Sequence, residues 1–210
     1  MNVKLMTATP QAEEHIVEVA RVSSKREDKR GNPEGLLNYL IKHRHWSPFE
    51  HSFMTVEIET SKAIGIQLIR HRSFTFQEFS QRYQDVNQLN DLFEPIELRT
   101  QAEDNRQSSV EVLDPEDNPL IYDMVEEYLE FSRHLYDTLL SKGVARETAR
   151  FVLPLATKTK IHMTGSIRSW IHFFELRDDG HAQKEIQEVA KAIKKIFKKQ
   201  FPIISKALGY

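Results

Sequence analysis

Hydrophobic and polar positions follow two rhythms along this chain. NVKLMTAT, residues 2–9, is short and β-prone and predicts a first strand. The next segment, QAEEHIVEVARVSS, moves to a helical period with Ala12, Ile16, Val19 and Ala20 on one face. Thr9 and Pro10 are its expected cap and first-turn residue. Asn32 and Pro33 repeat that start signal ahead of a second helix over GLLNYLIKH. FMTVEIETS then alternates strictly, with Met54, Val56 and Ile58 against Phe53, Thr55, Glu57 and Glu59, which predicts a strand. Ser61 is the expected cap of a helix over KAIGIQLIRH. The stretch RHRSFTFQEFSQRY would then start on the last turn of that helix and continue as a loop.

Residues 84–118 lose both rhythms. FEPIELR is the one expected strand there, DPEDNP is a break, and the segment reads as an insertion or a mobile lid. Asn118 and Pro119 open a long helix through Ser141, closed by Gly143. VARETARFVL predicts a helix ending near Pro154, and TKTKIHMTG a strand. SIRSWIHFFELR predicts a helix with Trp170, Phe173 and Phe174 in the core. After the turn DDG, HAQKEIQEVAKAIKKIFKK closes the chain as an amphipathic helix with a solvated basic face. The irregular order of helices and strands predicts an α+β fold in one domain spanning 1–210.

Composition narrows the function. At 210 residues the chain can bury a sizeable core. Lys and Arg number 29 against 31 Asp and Glu, a net charge of -2. Any basic site is therefore local, and the broad positive field of a nucleic-acid binder is missing. No apolar run is long enough for a bilayer, and MNVKLMTATP lacks the apolar core of a signal peptide. A cytoplasmic protein with no membrane partner is expected. The chain has no cysteine, which removes disulfides, thiolate metal ligands and cysteine nucleophiles.

Four segments carry candidate chemistry. Gln67, Arg70 and His71 are spaced for one helical face, with Arg72 pointing elsewhere. Cations at a helix end complement its dipole by about 0.3–1 kcal/mol. Three adjacent cationic or titratable side chains also repel, so an anionic ligand accounts for them better. Ser73, Thr75, Ser80 and Arg82 follow with donors suited to phosphate. In IKHRHWSPFEHSF, His43, His45 and His51 stand near Glu50. Three readings are open there: structural histidines, an organic-ligand site or a metal site. Arg146 and Arg150 share a helix face, with Glu147 as an ordinary ion partner. Arg168 and His172 share another, Arg177 ends that helix and His181 begins the next.

RHR, seven residues, then Ser80-Gln81-Arg82-Tyr83 resembles the signature of the flavin-dependent thymidylate synthases. HWSPFEH, RETARFVLP and ELRDDGHAQKEI are similar to that family's other blocks, in the same order. The resemblance runs from ARVSS to the last helix. It implies mixed helices around a mostly antiparallel sheet, in a fold particular to the family, assembled as a homotetramer with sites between subunits. It implies methylation of dUMP to dTMP, with methylenetetrahydrofolate as carbon donor and FAD, reduced by NADPH, as hydride carrier. No metal and no nucleic acid are implied.

Carried over residue by residue, the flavin contacts are Arg70, His71, Arg72, His45, Ser47, Glu50 and His181, with Ser23, Glu78, Ser166, Arg168 and His172. The nucleotide contacts are Gln67, Arg70, Glu78, Ser80, Gln81, Arg82, Arg150 and Arg177. Thr75 and Gln77 stand where the family more often has Ser and Asn, and Ser166 and His172 where it often has Asn. Chemistry adds roles to these names. Without a cysteine, a reduced flavin replaces covalent activation of the pyrimidine. Arg177 is expected at the pyrimidine edge, where charge builds on the ring carbonyls. Ser80, Arg82 and Arg150 are expected on the phosphate, Ser80 positioning substrate rather than attacking it.

Overall fold

The computed structural model describes residues 1–23, 33–89 and 91–210. Strand β1 (Asn2–Ala8) leads into helix α1 (Ala12–Arg21), and Pro33 opens α2 (Pro33–Lys42). Ser24 and Asn32, expected in a helix end and a cap, lie outside the described residues. Thr9 does not cap α1. Gln11 holds the N-cap position in left-handed backbone, φ 50. The Thr9 hydroxyl instead accepts from the Phe53 N–H at 2.9 Å, and the Thr9 N–H donates to the Phe53 carbonyl at 2.9 Å. Both bonds tie β1 to the start of β2 (Phe53–Ser61), so a long-range ladder takes the group that local rules assign to a cap.

The main sheet has the order β1-β2-β6-β3, with β3 at Phe74–Glu78 and β6 at Lys158–Ser166. β2 and β6 are antiparallel in one register. Thr55 meets Thr164 at 2.9 Å, Glu57 meets His162 at 2.9 Å and Lys160 reaches Glu59 at 2.8 Å. Successive side chains of a strand point to opposite faces. The same register therefore buries Met54, Val56 and Ile58 with Ile161 and Met163.

β3 is a correction, because FTFQE was expected as loop. Its Phe74 is buried and Phe76 half-buried while Thr75 and Gln77 are exposed. Helix α3 (Lys62–Leu68) starts as expected, with the Ile64 N–H donating to the Ser61 hydroxyl at 3.4 Å. It stops before Arg70, however, so Gln67, Arg70 and His71 do not share a helical face.

The chain divides into two compact units. One comprises Asn2–Ile58, Ile69–Gln77 and His162–Tyr210 and is called here the Trp170 unit. Helix α6 (Ile167–Arg177) starts at the Ser166 hydroxyl, which accepts from the Ser169 N–H at 3.2 Å. Trp170, Phe173 and Phe174 are buried on it as expected, with Phe197 of α7 (Lys184–Gln200) and Phe201. The indole N–H of Trp170 donates to the Met54 carbonyl at 3.0 Å, so burying the ring leaves no polar atom without a partner. A short α8 (Pro202–Ala207), which the sequence pattern did not announce, follows Phe201. Its Ile204 N–H donates to the buried Glu13 carboxylate at 2.8 Å.

The other comprises Met1, Glu59–Leu68 and Glu78–Ile161, the Tyr136 unit. Its long helix α4 (Pro119–Ser141) has Pro119 in the first turn, and Gly143 lies just past its end at φ 80, as expected. VARETARFVL is not one helix but a short α5 (Arg146–Ala149) and a 3-10 turn over Arg150–Val152. FEPIELR does not form a strand of its own. The segment's strands are β4 (Arg99–Gln101) and β5 (Ser109–Val112), paired antiparallel. Val86 and Leu92 from the same polar segment are buried with Tyr136 and Ala149. Among the described residues no helix is long and apolar enough to cross a membrane.

Candidate active site

In the Trp170 unit, α6 turns its aromatic face inward and ends on Arg177. The Arg177 Nε–H donates to Nε2 of His71 at 2.9 Å. A guanidinium only donates, so Nε2 carries the lone pair, the proton sits on Nδ1 and the ring is neutral. Burial, then the positive charge of Arg177, then His172 push the His71 pKa down to about 4. The ring meets Phe173 edge-on at 5.0 Å and Phe74 at 6.2 Å. Burial also lowers the proton affinity of Arg177, which remains a cation. The charge crowding expected of Arg70-His71-Arg72 is thereby corrected. Two of the three are exposed cations, and the middle one is an uncharged acceptor.

The same unit holds further candidates. Arg168 points outward from α6 and its Nη1 donates to Glu50 Oε1 at 2.7 Å. Glu50 comes from the 3-10 turn Ser47–His51, with Ser47 exposed at its start. His45 is exposed, 6.1 Å from the ring of His43. Tyr39 lies against His43 at 4.3 Å, an aromatic pair rather than a ligand set. Among the described residues no group of three or more His, Asp or Glu side chains is arranged to hold a metal ion. Ser166 is buried, and its oxygen is engaged by the α6 backbone and by Ser169 at 3.0 Å. His172 is exposed, 3.6 Å from Glu175. His181 lies exposed in the turn after α6, its N–H donating to Asp179. Ser23 is exposed and donates to the Ala20 carbonyl at 3.2 Å.

The Tyr136 unit gathers the remaining set. Arg82 Nη2 lies 3.2 Å from Glu147 Oε2, and Arg150 Nε donates to the Glu147 carbonyl at 3.3 Å. Glu147, read from sequence as an ordinary ion partner, thus joins two arginines that lie far apart in the chain. Ser80 is half-buried, and its carbonyl accepts from the N–H groups of Tyr83 and Gln84. That turn projects Arg82 outward while Gln81 is 7% exposed, its Nε2 lacking a partner among the described residues. Gln67 is half-buried on α3. Glu78, at the end of β3, accepts from Lys62 Nζ and from Thr159 Oγ1, both at 2.8 Å. Neither partner was singled out in the sequence, where they stand 16 and 81 residues from Glu78. No local pattern announces them.

These arrangements fall within a shape and sequence already represented among known proteins. The model of the thymidylate synthase complementing protein family matches residues 4–203. A probable flavin-dependent thymidylate synthase of Paramecium bursaria Chlorella virus 1 is 47% identical over 201 residues, covering 95% of this chain and 91% of that protein. A flavin-dependent thymidylate synthase of Synechocystis is 44% identical over 195 residues, covering 93% and 88%. The crystal structure of the UMP/dUMP methylase PolB from Streptomyces cacaoi, bound with 5-Br dUMP, superposes with a TM-score of 0.84 at 30% identity, over 99% of this chain and 94% of that one. With nearly its whole length matched by the family model, the chain belongs to the thymidylate synthase complementing protein family.

Proposed function

We propose that the chain is a flavin-dependent thymidylate synthase that methylates dUMP to dTMP in the cytoplasm. Methylenetetrahydrofolate would supply the carbon and NADPH the reducing equivalents. The observation that carries this reading is the half-buried Arg177 cation held by a neutral His71. An oriented guanidinium whose Nη groups have no partner among the described residues suits a pyrimidine edge on which negative charge grows. The donor set fits FAD. Arg70 and Arg72 are exposed guanidiniums suited to a pyrophosphate, and the His71 Nδ1–H, without a partner among the described residues, suits a ligand acceptor. Bound FAD would supply the hydride that a cysteine-free chain cannot replace by covalent activation. Arg82 and Arg150 suit the nucleotide phosphate, with Ser80 two residues before Arg82 in sequence.

The test is direct. Protein supplied with FAD, NADPH, methylenetetrahydrofolate and dUMP should form dTMP, with UMP offered in parallel because PolB is named for both substrates. No methylated product with FAD bound would sink the proposal. FAD should also raise the melting temperature, because a ligand that binds only the folded state stabilises it by mass action. An unchanged melting temperature at saturating FAD would count against the assignment. Ser80→Ala should raise the KM for dUMP and leave turnover. Complete loss of turnover with binding intact would instead make Ser80 the nucleophile.

A homotetramer belongs to the same proposal. On α4, Leu120, Ile121, Met124, Tyr128 and Phe131 are 46–70% exposed. Residues 121, 124, 128 and 131 fall at the 3-4-3 spacing of a helix seam. Another copy of the chain would cover that stripe. Light scattering should give the mass of four chains, and a monomer at working concentration would exclude shared sites.

A further inference from the structure

Glu78 is a carboxylate on the apolar face of its strand. It shares that face with Phe74 and Phe76, two and four residues back. Such a group needs partners, and both that it has among the described residues converge on one oxygen. Lys62 Nζ and Thr159 Oγ1 each reach Oε1 at 2.8 Å. Among the described residues Oε2 accepts from nothing. Both partners are held by the fold. Lys62 is the first residue of α3, and Thr159, 1% exposed, sits in β6 beside the end of β3. The helix comes close here because it carries Gly65. A Cβ at that position would stand 3.2 Å from Thr159 Cγ2 and Ile161 Cδ1, and 3.5 Å from Glu78 Oε1.

A carboxylate has acceptor sites on both oxygens. Engaging one of them with a cation and a hydroxyl fixes the plane of the group. The other oxygen then becomes a directed acceptor, and charge-assisted hydrogen bonds are the stronger kind. We propose that Lys62 and Thr159 are positioning residues that hold Oε1 of Glu78 and present Oε2 to an N–H or hydroxyl of the bound nucleotide or flavin. This rests on the proposed function, in which Glu78 contacts ligand. A plain surface ion pair is the competing account, and it contributes little to anything but stability.

The two accounts separate on ligand binding. The KM for dUMP and the FAD dissociation constant, read by flavin fluorescence, are measured on Lys62→Met, Lys62→Arg, Thr159→Val and Glu78→Gln. Lys62→Met should weaken whichever ligand Glu78 serves by about 10-fold, the scale of one charge-assisted bond. Lys62→Arg should recover most of that loss, and Thr159→Val should move the same constant by less. In a Glu78→Gln background, Lys62→Met should add nothing further.

Lys62→Met and Thr159→Val both within about twofold of the parent would overturn the inference. So would an undiminished Lys62→Met effect in the Glu78→Gln background, or a change in melting temperature alone. If Glu78→Gln impairs ligand binding and Lys62→Met does not, this inference fails and the proposed function stands. A chain that neither binds FAD nor methylates dUMP removes both.

Discussion

Arg177→Ala is expected to lower turnover of dUMP by about 10²–10³-fold, the usual cost of deleting one preorganised donor at a site of developing charge. The side chain is half-buried and still charged, so it acts in a medium that screens it less than water does. Its Nε–H is already engaged by His71, which removes rotational freedom and aims the two Nη groups. Arg177→Lys is not expected to rescue. An ammonium is a compact point charge and lacks the planar fork that bonds His71 and a ligand together. Wild-type turnover by Arg177→Ala would show that the charge on the pyrimidine is stabilised elsewhere.

Burial of His71, and then the Arg177 charge beside it, sets a pH dependence. His71 titrates near 4 in the folded chain against an ordinary 6.5. As pH falls below 6.5 the unfolded chain takes up a proton that the folded chain refuses. The stability this group contributes is therefore present above about 6.5 and is lost progressively down to about 4. Replacing His71 with glutamine, which does not titrate, should flatten the fall in melting temperature across that window. An equal fall in the variant would mean that His71 is not the group responsible.

Gly165→Ala is expected to destabilise the fold by about 1–3 kcal/mol, as overpacking does, and to lower activity with it. A Cβ at this position on β6 would overlap two ring carbons of Phe74. Carbon atoms settle roughly 3.5–4.0 Å apart, so the ring has to move. Phe74 has little room. Its ring centroid is 4.6 Å from Trp170, 6.1 Å from Phe173 and 6.2 Å from His71. Any shift therefore presses on the imidazole that holds Arg177. Thermal melts of the variant should fall by roughly 2–4 °C for each kcal/mol lost at this chain length. A melting temperature equal to that of the parent would mean that Phe74 relocates freely and the aromatic cluster is looser than its geometry implies.

Local signals were enough wherever an element could be recognised from its own residues. β2 and β6 alternate within nine residues each. α4 has Pro119 at its start and a glycine just past its end, and α6 has Trp170, Phe173 and Phe174 on one face. The failures share a cause. FTFQE has only one buried face, so half of its residues read as loop until β6 pairs with it. Arg99–Gln101 and Ser109–Val112 are too short and too exposed to show a period, and they exist as strands through each other. Thr9 followed the cap rule locally and was claimed by Phe53, 44 residues on.

The candidate site divides the same way. RHR with SQRY, HWSPFEH, RETARFVLP and ELRDDGHAQKEI can be read in the linear chain, because residue identity and spacing are one-dimensional properties. So can the lack of cysteine, which closes one chemical route before any folding is considered. What the string of letters leaves open is charge state and partnership. Arg70-His71-Arg72 reads as three like neighbours until Phe173 and Arg177, about a hundred residues away in the chain, desolvate the histidine and claim its lone pair. Lys62 is an ordinary helix-start lysine until the pairing of β3 with β6 brings Glu78 to it. Proton affinity and hydrogen-bond direction depend on burial and on distances across the fold, and those exist only once the chain has closed on itself.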